Sequence, residues 1–254
     1  MRRYQRLLQE VLKLDIAYLP IKARDKRTTI QAEDFAHAIR GLGAIGGAIS
    51  KDIKGKIIPH LDELDAFAQE VQSVNTVIRK GDRLIGHNTD AYGFELAIRE
   101  GLAASHTPID TAVVYGYGGV FQVVHYVLTR LGLKVHLTGR DAEKVAQVNE
   151  EYGLAPFSGP CDLFVNATPV TDAPLDQATN FLEALKGARM VFDHHMPGLA
   201  LAEFCQANDV HYVPGTAMYY PQMYKQWALF LEGMVTEEEL PALFTQVSGN
   251  SSQT

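Results

Sequence analysis

The chain has 254 residues, enough for one large domain or two modest ones with a substantial core. Hydrophobic residues make up 46% and charged residues 21%, the balance of an ordinary globular protein. The formal net charge of −7 argues against a nucleic-acid or membrane-surface partner, since neither favours an acidic surface.

The basic start, Met1 to Arg6, lacks the apolar stretch and cleavage site of a signal peptide. Leu7, Leu8, Val11 and Leu12 recur at helical spacing and predict an amphipathic helix over 3–13. Ile16–Pro20 reads as a short strand stopped by proline, and 22–29 as a polar loop. A helix follows over Ala32–Leu42. The segment 44–49 is rich in glycine, and Ser50–Lys56 is dense in charge. Residues 57–64 and 66–71 read as helix and Ser73–Ile78 as strand. After a polar turn, Arg79–Asp82, comes Gly86-His87-Asn88-Thr89-Asp90-Ala91-Tyr92-Gly93-Phe94, at the mouth of a helical pattern. The plain role for Thr89 or Asp90 there is a helix N-cap. A second Asn-Thr pair, Asn75-Thr76, stands about a hairpin's length upstream, so polar side chains of neighbouring strand ends would converge.

Val74-Asn75-Thr76 followed by Gly86-x-Asn88-Thr89-Asp90-x-x-Gly93-Phe94 resembles the signature of the shikimate dehydrogenase family, which includes quinate/shikimate dehydrogenases. The frame is also matched at Leu14-Asp15, Tyr18-Leu19-Pro20 and Leu61-Asp62-Glu63-Leu64. Most members begin with a further strand and a Ser-x-Ser loop that touches the substrate carboxylate. This sequence starts where their first helix would start, so a weakened carboxylate side is expected.

Thr111–Tyr115 is an apolar strand that runs into Gly116-Tyr117-Gly118-Gly119 and a helix, 120–131, with a second strand at Lys134–Thr138. This βαβ unit has the length of a dinucleotide fold. Gly116, Gly118 and Gly119 would let backbone N–H groups at a helix start approach a pyrophosphate. At the tip of the second strand, Arg140 and Lys144 can flank a 2′-phosphate, which favours NADP. The carboxylate of Asp141 opposes a phosphate, so NAD stays an alternative. The family's Asn-Arg-Thr at this point is matched by Arg140 alone. Further strands are expected at 161–166, 190–193 and 210–214. Cys161 and Cys205 are too few for a disulfide framework and lack metal-ligand spacing; they read as buried thiols of a cytoplasmic protein. Asn166-Ala167-Thr168-Pro169 and Gly215-Thr216-Ala217-Met218-Tyr219-Tyr220-Pro221-Gln222 resemble family stretches near the cofactor and substrate, with Ala217 for a second glycine. No apolar run reaches transmembrane length, and 249–254 reads as a frayed tail.

The expected fold class is α/β. Residues 1–95, completed by helices within 217–248, would form a substrate domain, and 96–216 a Rossmann domain with a doubly wound parallel sheet. The resemblance implies an acid–base pair of Lys54 and Asp90. Lys54 is placed by counting back from Leu61, with Lys51 and Lys56 as rivals, because Ala48 and Asp52 replace the motif's Asn and Pro. Ser50 takes its Thr position. Asn75 and Gln222 would bind substrate hydroxyls, as amides can both donate and accept. Asp193-His194-His195 suggests a metal, yet consecutive histidines on a strand face opposite ways. No metal is expected, and Met196 stands where the family places a substrate-contacting Tyr. The implied activity is NADP-dependent dehydrogenation of shikimate or a related hydroxy acid, by a monomer or homodimer. The alternative is a catalytically weak or inactive nucleotide-binding homologue.

Overall fold

The computed structural model describes residues 2–21, 30–50, 53–105, 107–168, 179–195 and 199–248. Residues 22–29, Lys51, Asp52, Pro169, Met196 and residues 249–254 lie outside the described residues, and with them the expectations that fall there. The chain divides into two compact units. Unit 1 comprises Met1–Asp65, Gln72–His87 and Met223–Thr254; unit 2 comprises Ala66–Val71 and Asn88–Gln222. The division therefore falls at His87 and again at Gln222, and residues 88–95 and 217–222 pack with unit 2.

Unit 1 opens with helix α1 (Arg2–Arg6), which continues as a π-helical turn, Leu7–Val11. Helix α2 is Ala32–Gly41. A four-stranded sheet has the order β1-β3-β4-β2, from β1 (Gly46–Ala48), β2 (Glu63–Leu64), β3 (Thr76–Lys80) and β4 (Arg83–His87). Strands β3 and β4 form an antiparallel hairpin around Gly81, whose φ of 61° is one that glycine adopts without strain. Glycine in β1 has a packing reason. A methyl on Gly47 would lie 2.6 Å from the Phe35 ring of α2, which would have to shift to admit it.

Three expectations fail in this unit. Ile16–Pro20 is not a strand: Gln5 takes the place of a neighbouring strand, accepting from Tyr18 N at 2.8 Å and donating to Ile16 O at 3.0 Å. Residues 57–64 are not one helix. Pro59 sits in a short 3-10 turn (Ile58–His60), and the chain then enters β2, parallel to β4. Asp62 holds that edge, accepting from Leu84 N at 2.6 Å and from Arg40 at 2.8 Å. The strand expected at 73–78 begins at Thr76 and runs on to Lys80. The apolar filling comes from α1, helix α10 (Leu240–Ser248) and the end of helix α9 (Thr216–Phe230). Tyr4 stacks on Trp227 at 5.1 Å and meets Phe244 edge-on at 6.0 Å.

Unit 2 holds a parallel sheet of order β6-β5-β7-β8-β9, from β5 (Thr111–Tyr115), β6 (Lys134–Thr138), β7 (Leu163–Asn166), β8 (Met190–Asp193) and β9 (His211–Pro214). The order steps outward both ways from β5, the doubly wound pattern expected from the alternation of strands and helices. Short α3 (Ala66–Val71), α4 (Thr89–Ala104) and α5 (Phe121–Arg130) join one core cluster; α6 (Ala142–Tyr152) contributes Val145, Val148 and Tyr152 to it. The opposite cluster is filled from α7 (Thr179–Leu185) and α8 (Leu199–Ala207). Within the first core, Phe94 meets Phe192 edge to face at 4.9 Å, a pairing worth about 0.5–1.5 kcal/mol beyond burial.

Candidate active site

In unit 1, the segment from Ser50 to Lys54 is tied to the strand end at Asn75 by backbone bonds. Ile49 N donates to Asn75 O at 2.8 Å, which brings the segment ending in Ser50 alongside the strand end at Asn75. Val74 N donates to Lys54 O at 2.9 Å, which ties the turn carrying Lys54 to the same strand end. Ser50 is exposed, Lys54 half-buried and Asn75 buried. The Asn75 Oδ1 accepts from Thr76 Oγ1 at 2.9 Å, and Thr76 Oγ1 accepts from Gln226 Nε2 at 2.7 Å. Gln226 was not foreseen; its signal was the spacing of one helical turn from Gln222. Nor was the pair of Asp65, just past β2, and His87, whose Oδ2 and Nδ1 lie 3.1 Å apart.

In unit 2, the N-cap of α4 is Asn88 rather than Thr89 or Asp90. Asn88 keeps extended backbone (φ −116°, ψ 92°) and its Oδ1 accepts from Ala91 N at 2.9 Å. Thr89 and Asp90 thus occupy the first turn, where the helix dipole favours a carboxylate. Gly93, one turn on, lets α9 cross closely. A methyl there would lie 2.5 Å from Met218 O and 2.7 Å from Gln222 Cβ. Gln222 is thereby placed against the turn that follows Asp90.

The ends of β5, β6 and β7 converge on the glycine turn. Gly116 N donates to Thr138 O at 2.9 Å, and Ala167 N to Tyr115 O at 3.0 Å. Gly116 has φ 111°, and a methyl on it would lie 2.6 Å from Thr168 Cγ2, so both conformation and contact require glycine. Gly118 and Gly119 instead face open space. Val120, at the cap position of α5, gives no side-chain cap, and Phe121 N donates to Gly118 O at 2.8 Å within the turn. The Tyr117 ring covers Gly139, beside exposed Arg140. Asp141 is the N-cap of α6, its Oδ1 accepting from Lys144 N at 3.1 Å and its Oδ2 lying 3.7 Å from Lys144 Nζ. The carboxylate that opposed a phosphate is therefore held by capping and by a cation.

Asn166 and Thr168 bind each other. Asn166 Oδ1 accepts from Thr168 N at 3.1 Å and Oγ1 at 2.7 Å, while Asn166 Nδ2 donates to Asp193 Oδ1 at 2.9 Å. Asp193 is fully buried and also accepts from His195 N at 3.0 Å and Tyr212 OH at 3.3 Å. Burial pushes its carboxyl above the usual range, against the lowering effect of those bonds. Gly215 closes over this knot: a methyl on it would lie 2.7 Å from Asp193 O and 2.9 Å from the carbonyls of His194 and His195.

The two histidines part company. His195 is exposed, whereas the His194 ring lies parallel to Phe94 at 5.5 Å and edge-on to Phe192 at 5.1 Å. Its Nε2 is buried without a hydrogen-bond partner, an arrangement that costs about 1–3 kcal/mol. Burial pushes the imidazole pKa down to about 4, with Asp90 pulling the other way. Among the described residues no three metal-ligating side chains come together.

No family model matches the chain. Over 184 residues it is 31% identical to the shikimate dehydrogenase (NADP(+)) of Halothermothrix orenii, covering 64% of this chain and 61% of that protein. The chain spans about half to three fifths of the length of curated relatives such as these, 61% in this case and 44% for a shikimate dehydrogenase (NADP(+)) of Bacillus cereus. Among solved structures, a shikimate 5-dehydrogenase-like protein superposes with a TM-score of 0.75 at 22% identity, over 97% of this chain and 92% of that one. The quinate dehydrogenase of Corynebacterium glutamicum, solved with NAD, gives 0.73 at 24% identity, over 95% and 92%. The chain is a relative of the shikimate dehydrogenases in sequence, and its pair of α/β units has their fold.

Proposed function

We propose that the chain is an NADP-dependent dehydrogenase acting on a ring hydroxyl or carbonyl of shikimate, 3-dehydroshikimate or a related cyclic hydroxy acid. The observation that carries this reading is the open Gly118–Gly119 turn before α5, whose start has no side-chain cap, in a chain whose relative is named as an NADP(+) enzyme. Residues 96–216 would serve as the dinucleotide domain, and 1–95 with 217–248 as the substrate domain.

NADP, when bound, supplies the hydride acceptor or donor. The chain's own part is binding and proton handling. N–H groups at Gly118, Gly119 and the α5 start would hold the pyrophosphate, with Gly116 keeping the turn tight. Arg140 and Lys144 would hold the 2′-phosphate, with the charge of Asp141 offset in part by the Lys144 ammonium 3.7 Å from its Oδ2. Asn166 and Thr168 would shape the turn on the nicotinamide side rather than lend free side chains, and Gly215 would let α9 begin close to it. Lys54 would take or return the hydroxyl proton, with Asp90 as its acid–base partner. Ser50, Asn75 and Gln222 would bind the remaining hydroxyls, since hydroxyls and amides can both donate and accept.

Ala48 in place of an amide favours a second reading, a nucleotide-binding homologue with weak or no turnover. Calorimetry with NADPH and NADH, beside a screen of cyclic polyol acids for cofactor reduction, separates the two. Reduction driven by shikimate or quinate supports the dehydrogenase. Tight NADPH binding without reduction by any acid supports the binder, and no binding of either cofactor removes both.

A further inference from the structure

Among the described residues, His194 offers a buried nitrogen whose surroundings explain its ring but not its polarity. Along β8, Met190 and Phe192 face the α4 core, while Val191 belongs to the opposite cluster and Asp193 pairs with Tyr212. His194 comes next in that alternation and stacks on Phe94. Phe94 is four residues beyond Asp90, so both lie on one face of α4. The imidazole therefore occupies the slot between the first turns of α4 and the C-terminal end of β8, the end at which ligands bind in open α/β sheets. A phenylalanine would stack there equally well and leave no unpartnered atom. Asp90 is the charged group that acts on the ring. The neighbouring Asp193 is held elsewhere by Asn166, His195 and Tyr212, and His195 is exposed.

We infer that His194 is a positioning residue for Asp90, its Nε2–H fixing the carboxylate when a ligand hydroxyl engages it. The inference rests on the reading of Asp90 as a ligand-contacting acid. Hydrogen bonds of this kind are often long before a ligand arrives and tighten with it. The nitrogen is thus held in reserve, dry and neutral, beside a group that gains by being oriented.

The full-length chain tests this with three readouts. His194→Phe should melt at the parental temperature or above, because an apolar ring suits the slot. Its turnover on the hydroxy acid used by the parent should fall by about 10²-fold, the scale of a misplaced catalytic group, with KM little changed. His194→Gln, which restores an amide N–H, should recover part of the loss. Proton-detected NMR of the ring should give a lower titration midpoint in Asp90→Asn than in the parent. A stable His194→Phe with parental turnover would overturn the inference, as would a midpoint unmoved in Asp90→Asn. If the parent turns over no hydroxy acid, the titration decides alone, so failure of the enzymatic reading stays distinct.

Discussion

Gly93 is where packing and chemistry meet most directly, and Gly93→Ala tests both. The added methyl would lie 2.5 Å from Met218 O, 2.7 Å from Gln222 Cβ and 3.0 Å from Gln222 N. The first of these is roughly 1 Å inside ordinary contact, where repulsion rises steeply. Two of the three atoms are backbone of α9, so relief requires moving a helix rather than a rotamer. Overpacking of this kind costs about 1–3 kcal/mol, and the rigid obstacle argues for the upper end. Alanine returns about 1 kcal/mol of helix propensity, leaving a net loss of about 2 kcal/mol. At about 2–4 °C per kcal/mol for a chain of this size, the melting temperature should drop by about 4–8 °C. Gly101→Ala in the same helix is the control, since its methyl would press mainly on the flexible tip of Met190. Differential scanning calorimetry and urea denaturation would measure both variants. Because α9 must retreat, the Gly93 variant should also raise KM for the hydroxy acid. A Gly93→Ala protein as stable as the parent, or a larger loss in Gly101→Ala, would refute the packing argument.

Arg140→Ala should weaken NADPH binding while leaving NADH binding nearly unchanged, read by calorimetry; equal losses would remove Arg140 from the 2′-phosphate site. Lys54→Ala and Asp90→Ala should each lower turnover by about 10²–10⁴-fold, with the double variant little worse than either, since groups acting as a unit are non-additive. Near-normal turnover in the Lys54 variant would pass the role to Lys51 or Lys56. The His194 imidazole, pushed from 6.5 to about 4, makes stability fall as pH drops through that window, because the unfolded chain takes up a proton that the folded chain refuses. Up to roughly 3 kcal/mol is involved, and His194→Phe should flatten that acid limb in urea titrations between pH 7 and 4. An unchanged limb would remove His194 as its cause.

The sequence by itself determined the features that depend on local chemistry. The Gly116–Gly119 turn, the apolar strands at 111–115 and 190–193, and the helix after each glycine turn were legible because their signals span a few residues. The Asn75 and Asn88 motifs likewise marked a hairpin and a helix start. Tertiary structure decided whatever depends on partners distant in sequence. Whether Ile16–Pro20 became a strand turned on Gln5 reaching it first, and the helix expected at 57–64 yielded to pairing of Glu63–Leu64 with β4. The choice of Asn88 over its two neighbours as cap followed from where the hairpin ended. Backbone bonds spanning some twenty residues tied the segment 49–54 to the strand end at Val74 and Asn75, and no spacing rule encodes them. The same holds for His194, since only the packed fold puts Phe94 against its ring and leaves its nitrogen dry beside the Asp90 face.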